Sequence, residues 1–160
     1  MARTNDPGSA DIPAAISLIR SDPTDGWWFG GVFDAFGYLE SEFGFRLDQV
    51  QQHFRGNSVW YRGPVFDLAL GHDPEDTGHV SGDLWVHADL WVEEHPRAFA
   101  VNDILRSRDP QARLPDLRRG GQTRDEALDA LAIWGTGLRT LAPDVLRGDW
   151  PAGVAGGTMR

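Results

Sequence analysis

The order of hydrophobic patterns in this 160-residue chain predicts an α+β fold. The expected sheet is antiparallel, a meander of three to four strands packed by N-terminal and C-terminal helices. Three observations carry that reading. Period-2 alternation is confined to the middle of the chain, helical periodicity lies towards both ends, and turn chemistry separates the middle runs at hairpin spacing. Strands segregated from helices in this way form an antiparallel sheet with helices over one face.

In chain order, residues 1–10 are polar with Pro7 and Gly8 and read as a loose tail. A short helix is expected to open at Asp11, its N-cap, with Pro13 in the first turn, and to run through Leu18 and Ile19. The turn residues of 21–26 end it. From 27 to 43 the period is helical, with Phe29, Val32, Phe33, Phe36, Leu39 and Phe43 on one face and Gly44 at the C-cap. Gly30, Gly31 and Gly37 each weaken that helix by about 1 kcal/mol, and are expected to allow close packing on a sheet. Phe45, Leu47 and Gln49 then alternate with Arg46 and Asp48 as a short strand. Residues 50–54 either prolong it or form a loop.

Val59-Trp60-Tyr61 is a strong β-forming run, and Val65, Phe66, Leu68 and Leu70 form the next strand after Arg62-Gly63-Pro64. The loop 72–78 is rich in turn formers. A long strand is expected over 79–91. Val80, Gly82, Leu84, Val86, Ala88 and Leu90 share its core face, and Ser81, Asp83, Trp85, His87, Asp89 and Trp91 the other. A helix over 98–107 follows, with Phe99, Val101, Ile104 and Leu105 as core residues.

The strongest local signal is the last helix. Thr123 and Glu126 form a capping box, and Ala127, Leu128, Leu131, Trp134, Leu138 and Leu141 recur at helical spacing up to Pro143. Gly148 is a C-cap candidate. Domain organisation follows: a tail and short segment over 1–25, one α+β domain over 26–150, and a flexible C-terminal tail over 151–160.

Composition removes several classes of function. There is no Cys, hence no disulfide, zinc–thiolate site or thiol nucleophile. There is no Lys, and Gly30-Gly31 and Gly120-Gly121 form no phosphate loop. Ser41, Ser58, Ser81 and Ser107 lack a nucleophile elbow. The net charge of -9 repels nucleic acid; it either favours a basic protein partner or serves only to keep the protein in solution, the commoner use of acidity. No apolar run approaches a membrane span, and the N-terminus has no hydrophobic signal segment. A cytoplasmic protein, monomer or homodimer, without cofactor and without nucleic-acid or membrane partners, is the expectation.

Two constellations remain. Asp83, Trp85, His87, Asp89 and Trp91 would share one strand face, a mixed aromatic and acidic surface suited to a basic partner. His72, Asp76, His79 and His87 are metal-ligand types in one region, though their spacing matches no metal motif. Asp76-Thr77-Gly78 repeats the aspartic-protease triplet but reads as a hairpin turn, because those enzymes need two carboxylates sharing a proton. Arg113, Arg118 and Arg119 form a basic patch that reads as a solvated connector.

The segment FDAFGYLESEFGFRL (33–47) resembles the phenylalanine-rich opening helix of small actinobacterial-type α+β proteins. LRTLAPDVLRGDW (138–150) is similar to their closing helix, with aromatic strands between. Some of those proteins lie beside polymorphic toxins as presumed immunity proteins. The resemblance implies a non-enzymatic role and transfers no catalytic residue. The expected function is therefore a non-catalytic protein-interaction protein of immunity or antitoxin type. The alternatives are a metal-dependent hydrolase built on the His/Asp set, and a domain binding an apolar small molecule between sheet and helix.

Overall fold

A computed structural model of the chain describes residues 12–53, 56–73, 79–117, 122–151 and 154. The element order is α1 (Ile12–Arg20), α2 (Gly26–Phe36), α3 (Tyr38–Phe43), β1 (Arg46–His53), β2 (Gly56–Arg62), β3 (Phe66–Asp73), β4 (His79–Val86), β5 (Ala98–Ala100), α4 (Val101–Arg108), α5 (Arg124–Leu141) and α6 (Pro143–Leu146). The fold is α+β. Five strands pair antiparallel in the order β1-β2-β3-β4-β5, a meander one strand longer than the upper expectation. The extra strand is Ala98-Phe99-Ala100, the front of the segment expected to be helical throughout. Three residues are too few for a period to show.

The alternation of apolar residues decides which face is covered. Val59, Tyr61, Phe66, Leu68, Leu70, Val80, Leu84, Val86 and Phe99 are buried on one face, and α2, α4, α5 and α6 join them in a single core. A register shift between Leu47 and Gln49 lets Leu47 and Val50, three residues apart, both meet that core. Gln49, expected to follow Leu47 onto the core face, instead lies opposite Trp60. The undecided segment after residue 49 continues β1 as far as His53.

The expected helix over 27–43 is divided at Gly37, whose carbonyl accepts from the Glu40 N–H. Gly44 ends α3 at φ 71°, in the left-handed region expected of a C-cap glycine. Gly31 serves a helix, not the sheet: a Cβ there would lie 2.4 Å from Leu128 Cδ2 of α5. From the other side, a Cβ on Gly135 would lie 2.5 Å from the Ala35 carbonyl oxygen. Small residues thus let α2 and α5 touch backbone to backbone, and at the start of α3 the Tyr38 hydroxyl adds a tie to α5 by donating to the Gly135 carbonyl at 2.6 Å.

Helix α5 starts as its capping box requires. The Glu126 N–H donates to Thr123 Oγ1 at 3.2 Å, and Glu126 Oε1 accepts from the Thr123 N–H. Pro143 takes the first position of α6, where its missing N–H is harmless. Asp11 and the 74–78 loop, with its Asp76-Thr77-Gly78 triplet, lie outside the described residues.

Candidate functional site

The face of the sheet turned away from the core is half exposed along β2, β3 and β4. Cross-strand register shows what it carries. Trp60 lies opposite Ala69, Ala69 opposite Asp83, and Asp83 opposite Ala100. One step along, Asp67 lies opposite Trp85, and Trp85 opposite Ala98. The small residues Ala69, Gly71 and Ser81 share this face with the two half-buried indoles. Their ring centroids are 6.2 Å apart with planes inclined by 41°. Neither belongs to the core cluster.

Charge on this face is mixed. Asp67, Asp73 and Asp83 supply carboxylates, while Arg62, opposite Asp67, and Arg46, opposite Arg62, supply cations at one end. His87 follows the strand immediately. Its Nε2 lies 2.8 Å from Asp67 Oδ1, and its backbone N–H donates to the Val65 carbonyl at 3.1 Å. That pair fixes the imidazole at the end of the open face.

The sequence-predicted contact residues divide accordingly. Asp83 and Trp85 stand on the open face, and His87 borders it. Asp89 and Trp91 do not continue the row, because β4 ends at Val86 and the chain turns: the Leu90 and Trp91 N–H groups both donate to the His87 carbonyl at 3.0 Å. Asp89 is exposed in that turn. Trp91 packs against the core edge, donates from Nε1 to the His95 carbonyl at 2.8 Å, and lies under the Arg97 guanidinium. Ala88 and Leu90, expected on the core face, are exposed in the same turn. Trp60 and Asp67 escaped sequence reasoning, since nothing local says which strands neighbour β4. The alternation of Val59, Trp60 and Tyr61 was the available signal, with Trp60 opposed in direction to its two buried neighbours.

The structure does not bring the metal-ligand set together. His72 faces the core, opposite Val80, whereas His79 faces outward, opposite Asp73. His87 lies beyond the far end of β4, about 26 Å from His79 at ~3.3 Å per residue. Asp76 lies outside the described residues. Among the described residues no group of three or more His, Asp or Glu side chains is placed to hold a metal ion.

Helices and sheet meet in one apolar core. A groove on the helical side, between α2–α3 and α5, is lined by Asp34, Tyr38, Glu42, Thr136 and Arg139. Its charges are paired, Asp34 with Arg20 and Glu42 with Arg139. Arg113 of the basic connector pairs with Asp129 at 2.7 Å, and Arg118 and Arg119 lie outside the described residues. Among the described residues no helix is long and apolar enough to cross a membrane. Compared with protein-family models, curated proteins and solved structures, the chain matches none of them.

Proposed function

We propose that this chain is a non-catalytic interaction protein, of the immunity or antitoxin kind, that docks a basic partner protein on the open face of its sheet. The observation that carries the reading is the Trp60–Trp85 pair, set among small residues and flanked by Asp67 and Asp83. Tryptophan brings a large, rigid contact area at little entropic cost, and such residues dominate the energetics of protein interfaces. Ala69, Gly71 and Ser81 give a partner room to reach the indole faces. A guanidinium or ammonium group laid on an indole gains about 0.5–2 kcal/mol, and the negative charge of the neighbouring carboxylates favours a cation there. The overall charge of -9 speeds encounter with a positively charged surface, most strongly at low salt.

The test is affinity capture from a lysate of the native host, using wild-type protein, Trp85→Ala and Asp83→Arg as parallel baits. Thermal unfolding of each bait separates loss of contact from loss of fold. The expected result is one basic protein held by the wild type, released as salt rises and lost from both variants. Equal retention by all three baits, or a partner that is acidic, sinks the reading.

A further inference from the structure

Four buried side-chain polar atoms gather where β2 and β3 meet the start of α2. They are Trp28 Nε1, both ends of the Asn57 carboxamide, and His72 Nδ1, and none has a hydrogen-bond partner among the described residues. The three residues are 0%, 2% and 5% exposed. Asn57 and His72 are direct cross-strand partners on the core face, which sets their Cβ atoms about 4.5–5.5 Å apart. The His72 ring stacks on Trp28 at 5.5 Å with planes inclined by 20°, and Trp27 closes on it edge-first at 5.2 Å. Gln52, opposite Asn57, is already engaged, donating to Asp25 at 3.3 Å.

The concentration of these atoms is informative. Buried polar groups in folded proteins are almost always hydrogen-bonded, to protein or to ordered water. At Trp134 the rule is kept: its Nε1 donates to Asn102 Oδ1 at 2.7 Å, and Asn102 Nδ2 donates to the Pro115 carbonyl at 3.1 Å. The group at Trp28 offers three N–H donors, one from the indole and two from the carboxamide NH₂. It also offers a carbonyl acceptor and an imidazole nitrogen that donates or accepts by tautomer. Water accepts two hydrogen bonds and donates two, and internal waters occur where two to four polar groups converge.

We propose that Trp28, Asn57 and His72 form an internal hydration site, in which ordered water bridges the indole N–H, the carboxamide and the imidazole Nδ1. Such water joins α2 to the β2–β3 pair through polar bonds in an otherwise apolar layer. Because the Asn57 amide presents a donor and an acceptor side by side, two waters satisfy it better than one.

Solution NMR of the full chain tests this directly. The expected result is a direct, long-lived cross-relaxation peak between Trp28 Hε1 and water, absent at Trp134 Hε1, whose partner is Asn102. Asn57→Leu is expected to remove that peak and lower the unfolding temperature. Three results overturn the proposal: no water peak at Trp28 Hε1 in the wild type, Asn57→Leu raising the unfolding temperature, or a bound small molecule revealed by native mass spectrometry. If Asn57→Leu does not fold, the wild-type spectrum decides alone.

Discussion

Gly82→Ala should destabilise the protein even though it replaces glycine inside a strand. Gly82 sits on the core face of β4, opposite Leu70. A Cβ there would lie 2.9, 3.0 and 3.4 Å from three ring carbons of Trp134. The indole cannot swing aside freely, because its Nε1 is bonded to Asn102 and its side chain is fully buried. Overpacking of this kind costs about 1–3 kcal/mol, offset by about 0.5–1 kcal/mol from removing the entropic penalty of glycine. The central values leave a net loss of about 1 kcal/mol, with about 2.5 kcal/mol as the upper bound. For a domain of this size each kcal/mol moves the midpoint by about 2–4 °C, so thermal unfolding should shift down by about 2–4 °C, and by no more than about 10 °C. In urea the midpoint should fall with an unchanged slope. Trp134→Phe combined with Gly82→Ala should cost less than the sum of the two, since the smaller ring vacates the clash. An unfolding temperature equal to or above wild type, or strict additivity of the pair, would refute the argument.

Two other outcomes follow from local geometry. Thr123→Ala breaks the capping box of α5 and should cost about 1 kcal/mol, read as a lower urea midpoint with faster amide exchange over the first turn; unchanged exchange there would count against the cap. His72 should make stability depend on pH, because burial holds its pKa below the ordinary value, against the opposing pull of Asp25 and Asp73. The unfolded state then binds the extra proton from about pH 6.5 down to the folded pKa, so stability is highest above that window and falls as pH drops through it. His72→Phe should flatten this part of the urea-midpoint profile between pH 5 and 8, and a profile with the same slope would assign the effect elsewhere.

The parts of the fold legible in the sequence are those whose causes are local. Thr123 and Glu126 are three residues apart and cap each other, so α5 could be read directly. The period-2 face of Val80, Gly82, Leu84 and Val86 needed only a buried strand, and it is buried. The misreadings have distant causes. Alternation runs on through His87, Asp89 and Trp91, yet the strand stops at Val86, where its partner β3 begins at Phe66 and the chain turns back on the His87 carbonyl. The shift at Asp48 moves Gln49 off the core face, and it shows only in the pairing with β2. The half of the candidate site contributed by Trp60 and Asp67 depends on strand order and register, which period alone does not supply.

The arrangement of α2 and α5 has a consequence for how the chain is made. The meander is built from sequence neighbours between residues 46 and 100, and such local pairing closes quickly. Its cover comes from both sides of the sequence, and Trp134, seated against Gly82, belongs to the later half. A chain emerging from the ribosome therefore presents its whole sheet before the residue that fills the middle of that sheet's apolar face has left the exit tunnel. During this interval the nascent chain carries an uncovered layer of Leu68, Leu70, Val80 and Leu84, a surface of the kind that aggregates or recruits chaperones. Release of α5 from the tunnel ends the exposure.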